Sequence, residues 1–287
     1  MKIGVLGAGA WGTALAITSA RVENNVTLWS YDGQYANFDG VQMPQNIKVT
    51  GIMDDLETAD AWLIATPALF FRETLLNSRA FYKGQPVIIC TKGIEASTHK
   101  FMSEIMDEEL PECTDYGILS GPQFAKEVAG GILTGSTLAG TEKAIIAGSE
   151  ALKELYLEIS DDVIGAEICG IGKNAVALVV GFASVEMGGE NNKALIFTLA
   201  WNEVVKFGLA NGAKIDTFLK LCGLGDLYLS ATSKTSRNYF AGISIAKNKL
   251  IIGTVEGIAA LNGLVYRASK QNINMPILAD MREKLNV

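Results

Sequence analysis

A chain of 287 residues with a net charge of −7, 49% hydrophobic and 19% charged, has the length for two domains and the composition of a folded globular protein. The acidic balance excludes nucleic acid and anionic membrane surfaces as main partners, so any phosphate site has to be assembled locally from a few cations. Four scattered cysteines (Cys90, Cys113, Cys169 and Cys222), with no C-x-x-C pair, exclude a disulfide framework or a zinc centre and fit the reduced thiols of a cytoplasmic protein.

Lys2 to Leu6 is mostly apolar and too short for a helix, and it reads as a buried strand. It runs into Gly7-Ala8-Gly9-Ala10-Trp11-Gly12, and small, helix-compatible residues follow. Strand, glycine turn and helix form the context in which G-x-G-x-x-G signals a dinucleotide. Gly7 permits the tight turn, Gly9 clears room for a pyrophosphate, and Gly12 lets the helix pack close to the strand. The uncapped N–H groups and the helix dipole then attract the anion. Four glycines between positions 4 and 12 also make this stretch a poor core for a secretory leader. No uninterrupted apolar run of eighteen residues follows, and no membrane span is expected.

Val26 to Trp29 reads as the second strand. Asp32 lies twenty residues after Gly12, the distance at which an acid commonly meets the adenosine ribose; an ordinary turn aspartate before Gly33 reads equally well. Gly33 to Asn46 is a polar loop. Ala61 to Pro67, Pro86 to Gly93 and Ile118 to Pro122 are further buried strands running into turns. In doubly wound folds ligands sit at the carboxyl ends of the strands, and Pro67, Lys92, Gly121 and Gln123 fall there.

Near 160–165 the texture changes to helical stretches at about 166–187, 192–210, 214–222, 237–247 and 254–271. The fold class expected is α/β, an N-terminal Rossmann-type doubly wound parallel sheet over 1–165 and a mainly α-helical domain over 166–287. Within the latter, Ser236-Arg237-Asn238 follows a hydroxyl-rich loop and suits a phosphate or carboxylate; a capped helix start with a surface arginine fits the same residues. Lys173, inside an apolar helix, either snorkels to solvent or serves acid–base chemistry in a desolvated site.

Together these residues resemble the bacterial NAD(P)-dependent glycerol-3-phosphate dehydrogenase family over nearly the whole chain. The blocks that carry the likeness are GAGAWGTAL from Gly7, TKGIE from Thr91, SGPQFAKEV from Ser120, DDVIGAE from Asp161, Lys173-Asn174, GLGDL from Gly223, SRN from Ser236, Val255-Glu256-Gly257 and Met275-Pro276-Ile277. The resemblance implies reduction of dihydroxyacetone phosphate to sn-glycerol 3-phosphate for glycerophospholipid synthesis. It makes Lys173 the proton-transfer residue, with Lys92 and Asp226 around the reacting oxygen. It gives the substrate phosphate to Ser236, Arg237 and Asn238, helped by Gly121 and Gln123. It places Ala10, Trp11, Ala125, Arg237 and Glu256 at the cofactor, beside Gly7, Gly9 and Gly12 of the glycine turn, Pro67 and Lys92 at the strand ends, and Tyr31 and Asp32 after the second strand. It implies no metal, and a homodimer as the assembly it allows.

The chain departs from the family pattern in places. The loop after the second strand is short, Gln123 stands for the usual Ser or Thr, Ser230 for a Thr, and Tyr239-Phe240 for a basic pair; the usual arginine near 197–199 is absent. Neither Tyr31 nor Asp32 offers a cation to a 2′-phosphate, so NAD(H) is favoured, with NADP(H) the alternative. Two other readings compete. One is a ketopantoate-reductase-like or 3-hydroxyacid dehydrogenase, against which Arg237-Asn238 with Lys92 and Lys173 argue. The other is a non-catalytic NAD(H)-binding sensor, which would not need Lys173 and Asp226.

Overall fold

The computed structural model describes residues 1–233, 235–250 and 255–286. It divides into two compact units, one of residues 1–92 and 102–163, the other of residues 93–101 and 164–287. Residues 93–101 therefore join the second unit although their place in the chain is within the first half.

The first unit is built on an eight-stranded sheet. Its strands are β1 (Lys2–Leu6), β2 (Asn25–Trp29), β3 (Ile47–Thr50), β4 (Ala61–Ile64), β5 (Val87–Ile89), β6 (Tyr116–Ser120), β7 (Gly135–Gly140) and β8 (Tyr156–Ser160). The order is β3-β2-β1-β4-β5-β6-β7-β8. The first six strands are parallel and in the 3-2-1-4-5-6 order of a dinucleotide-binding sheet. The expectation of one parallel sheet fails beyond β6: β7 runs antiparallel to β6, and β8 follows β7 in parallel. There the connection from β6 holds only a five-residue helix, Ala125–Ala129, and the chain returns reversed along its neighbour instead of crossing over.

Helix α1 (Ala10–Arg21) buries every residue from Gly12 to Ala20. Ala14, Ala16 and Ala20 keep that face slim, so the helix lies close on Ile3, Val5, Leu28 and Leu63 of the sheet. Helices α2 (Ala68–Ser78), α3 (Met102–Glu109), α4 (Ala125–Ala129) and α5 (Glu142–Ala151) complete this unit. Arg21, in the last turn of α1, donates to the carbonyls of Val128 and Ala129 and so ties α1 to the C-terminal turn of α4.

The second unit is helical: α6 (Val163–Glu186), α7 (Glu190–Ala210), α8 (Asp226–Thr232), α9 (Arg237–Ala246), α10 (Glu256–Lys270) and α11 (Pro276–Leu285). The expected start of α10 at Thr254 lies outside the described residues. By length and composition α6 could cross a membrane, with a mean hydropathy of 1.7 in its most apolar window; 83% of that window is buried, as in a core helix. A Cβ on Gly181 would lie 2.0 Å from the Tyr239 carbonyl, and one on Gly242 would lie 2.0 Å from that of Leu178. These two glycines let α6 and α9 touch backbone to backbone. The helix expected over 214–222 is instead a 3-10 segment, Ile215–Leu219, followed by a π turn, Leu221–Gly225. A Cβ on Gly223 would sit 2.2 Å from the Phe218 carbonyl, and this crowding is incompatible with a regular helix of larger residues.

Candidate functional site

At the carboxyl ends of β1 and β4 the strand order reverses, which is where open α/β sheets bind ligands. Gly7 follows β1 with φ of 103°, and its N–H donates to the Trp29 carbonyl at 2.9 Å. A Cβ on Gly12 would stand 1.8 Å from the Gly7 carbonyl oxygen. Both glycines are therefore demanded by the turn itself. Gly9 differs: nothing lies within 4 Å of where its Cβ would be. It is the N-cap of α1, makes no side-chain cap and leaves the first-turn N–H groups toward that open space. Nearby, Trp11 Nε1 and Thr66 Oγ1 are buried without a hydrogen-bond partner among the described residues. An open cradle at an uncapped helix start fits a pyrophosphate. Ala10 is exposed beside it.

After β2, Tyr31 is 89% exposed. Asp32 Oδ1 accepts from the Gln34 N–H at 3.0 Å and the Ser30 hydroxyl at 3.3 Å, so Asp32 does form the turn before Gly33. Lys48 Nζ lies 2.6 Å from Asp55 Oδ1, whose other oxygen accepts from Thr50. That ion pair and hydrogen bond hold the Asp55 carboxyl below its ordinary pKa. Pro67 is exposed after β4, and Ala125 half-buried at the start of α4. Lys92 Nζ donates to the Gly121 carbonyl at 2.7 Å. Gly121 is crowded against β7, where a Cβ would meet Ser136 Cα at 2.7 Å. Gln123 Nε2 donates to Ser136 Oγ, and its Oε1 is buried without a partner among the described residues.

In the second unit Lys173 does not snorkel. Its side chain is 13% exposed and Nζ lies 3.1 Å from Asp226 Oδ1, whose side chain is 2% exposed. Ser230 stands between them: its hydroxyl accepts from Lys173 at 3.0 Å and donates to Asp226 at 3.3 Å. Asp226 opens α8 and Ser230 follows one turn later, so one helix face presents both to α6. The sequence-predicted set lacks Ser230 as a site residue, though the i, i+4 spacing from Asp226 carries the signal.

A second network adjoins it on α6. Asn238 Nδ2 donates to Asn174 Oδ1 at 2.7 Å, and its Oδ1 accepts from the Gly257 N–H at 3.0 Å. Asn174 Nδ2 donates to Glu256 Oε2 at 3.3 Å. Asn238 thus joins α6, α9 and the start of α10, a holding task that Asn174 shares and that the sequence-predicted set omits. Ser236 caps α9 by accepting from the Tyr239 N–H at 3.4 Å. Arg237 follows it, exposed and without an ion pair among the described residues. The capped helix start and the surface arginine are thus both observed. Among the described residues no cluster of His, Cys, Asp and Glu could hold a metal ion.

Residues 2–146 match the family described as NAD-dependent glycerol-3-phosphate dehydrogenase N-terminus, and residues 162–286 match the corresponding C-terminus. The chain is 34% identical to "Glycerol-3-phosphate dehydrogenase [NAD(P)+]" of Parvibaculum lavamentivorans, covering 96% of this chain and 89% of that one. It is 37% identical, with the same coverage, to the protein of that name from a Bradyrhizobium species. The crystal structure of glycerol-3-phosphate dehydrogenase from Coxiella burnetii superposes with a TM-score of 0.90 at 28% identity, over 99% of this chain and 94% of that one.

Proposed function

This chain belongs to the NAD-dependent glycerol-3-phosphate dehydrogenase family, and on that premise we propose that it reduces dihydroxyacetone phosphate to sn-glycerol 3-phosphate. It is an oxidoreductase that uses a nicotinamide cofactor. The observation that carries the substrate reading is the buried Lys173, fixed by Asp226 and Ser230.

When bound, the nicotinamide supplies the hydride that adds to the substrate carbonyl carbon. The residues of the chain do the rest. Gly9 and the first-turn N–H groups of α1 take the pyrophosphate. The Lys173 ammonium stabilises the negative charge that develops on the carbonyl oxygen and donates the proton. Asp226 and Ser230 fix where that ammonium points. Lys92, held by its bond to the Gly121 carbonyl, is a further cation for the substrate. Ser236 and Arg237 hold the phosphate, Arg237 as a charged fork, and Asn238 keeps α9 in register with α6. Gln123, where family members carry a small hydroxyl, shapes the substrate side of the turn after Gly121. Ala125 and Glu256 meet the cofactor.

NAD(H) is the preferred cofactor. Tyr31 and Asp32 give a 2′-phosphate no cation, and Lys48 is already paired with Asp55. The reaction serves phospholipid synthesis in the cytoplasm, where four buried thiols stay reduced. The test is the oxidation of NADH and of NADPH with dihydroxyacetone phosphate, with ketopantoate as the control. Turnover of ketopantoate in preference to the phosphate ester would overturn the substrate assignment.

A further inference from the structure

The second unit contains a cavity of about 450 Å³ that none of the groups above uses. Val255, the N-cap of α10, and one face of that helix, Ile258, Asn262 and Tyr266, line it at a spacing of three or four residues. His99, the only histidine in the chain, comes from the segment 93–101, and Arg282 from α11.

Three features mark it as a built site. First, its wall is aromatic: the His99 and Tyr266 rings lie 4.4 Å apart at 40°. Second, polar atoms there are buried and lack partners among the described residues, namely His99 Nδ1 and Asn262 Oδ1. Unmet groups of this kind cost about 1–3 kcal/mol each, a cost that a ligand would remove. Third, the backbone that carries the imidazole is held in a costly conformation. His99 has φ of 59°, the left-handed region, and Arg267 of α10 pins its carbonyl by a 3.0 Å hydrogen bond.

The charge is one-sided. Arg282 is exposed at the mouth and makes no ion pair among the described residues, and Lys270 Nζ lies 5.3 Å from the centre of the Tyr266 ring. No carboxylate is among the lining residues described. Ala96, Val255, Ile258 and Ala259 supply an apolar floor. We infer that this cavity is a second ligand site, for a small organic anion with an apolar body, its anionic head on Arg282 and its body on the His99–Tyr266 wall.

The test uses the whole enzyme with NAD+ at saturation, so that the nucleotide site is filled. 1-Anilinonaphthalene-8-sulfonate serves as the fluorescent probe and neutral N-phenyl-1-naphthylamine as its uncharged counterpart. Binding of one sulfonate per chain is expected, weakened about tenfold or more in Arg282→Ala and in Asn262→Leu, and displaced by octanoate or octyl phosphate; the more effective of the two identifies the head group. Arg282 is exposed on the last helix, so its loss leaves folding intact, which circular dichroism checks. Equal affinity of wild type and both variants, or equal affinity for the neutral probe, would overturn the assignment.

Discussion

Lys173 and Asp226 face each other at 3.1 Å in a nearly dry environment, one from the middle of α6 and the other from the first turn of α8. Removing one member of such a pair strands a buried charge and typically costs about 3–5 kcal/mol. Lys173→Ala is therefore expected to lower both the melting temperature and kcat, the latter by about 10²–10⁴. Adding Asp226→Asn removes the stranded charge, so the double variant recovers stability while kcat stays low. Thermal melts and turnover on wild type, Lys173→Ala and the double variant check this; recovery of kcat in the double variant would assign Lys173 a structural task alone.

Gly9 and Gly12 belong to one motif yet meet different constraints. A methyl at Gly9 enters empty space from an extended backbone, so Gly9→Ala keeps its melting temperature but binds NADH about tenfold or more weakly. A methyl at Gly12 collides with the Gly7 carbonyl, and Gly12→Ala loses about 1–3 kcal/mol or more of stability. Calorimetric binding and melting of both variants separate the two. Equal loss of stability at Gly9 would mean that its open space serves packing.

Asp32 makes its turn through one oxygen, Oδ1. Asparagine keeps that acceptor and drops the charge, which makes Asp32→Asn a cleaner probe than alanine. The ratio of kcat/KM for NADH over NADPH is expected to exceed one in the wild type and to narrow roughly tenfold in the variant, equivalent to about 1.4 kcal/mol. A wild type that works better with NADPH would defeat the argument.

Glu203 of α7 is buried and accepts the Ile277 and Leu278 N–H groups at 2.7 and 2.9 Å, capping the start of α11 behind Pro276. Burial pushes its carboxyl above the ordinary value near 4.5, although the two N–H groups pull the other way. A carboxyl with a raised pKa binds protons more tightly in the folded state. Its contribution to stability is then largest in acid and declines as pH rises from about 4.5 through the raised value. Glu203→Gln removes this slope, so the stability of wild type relative to the variant should fall across that window and then level. Chemical denaturation at a series of pH values gives the difference directly.

The glycine turn was readable because its causes are local: Gly7, Gly9 and Gly12 act on atoms within a few residues or on a ligand. Strands such as Lys2–Leu6 were readable as short apolar runs, and α6 as a long one. The reversal at β7 was not, because Gly135-Ser136-Thr137-Leu138-Ala139-Gly140 has little apolar pattern and its direction is set by pairing with distant β6. The helix around Lys173 leaves snorkelling and a desolvated site both open, because its partner lies far along the chain in a stretch with helix-breaking glycines. The Glu203 cap joins residues too far apart for spacing to reveal, but Pro276 at the start of α11 is a helix signal that the sequence did carry.

Residues 93–101 leave the first half of the chain to become part of the second unit. There Ile94 fills the place beside Gly263, where a Cβ would stand 2.4 Å from it, and Phe101 packs edge-on to Phe207. On a ribosome adding about 5–20 residues per second, this short peptide emerges roughly 10–30 s before α10 exists to receive it. The second unit is therefore expected to be less stable as an independent C-terminal fragment: a protein begun at Ile164 lacks a wall that was made early and kept waiting. Supplying residues 93–101 as a separate peptide should raise the stability of such a fragment with the logarithm of the peptide concentration, once that exceeds the dissociation constant.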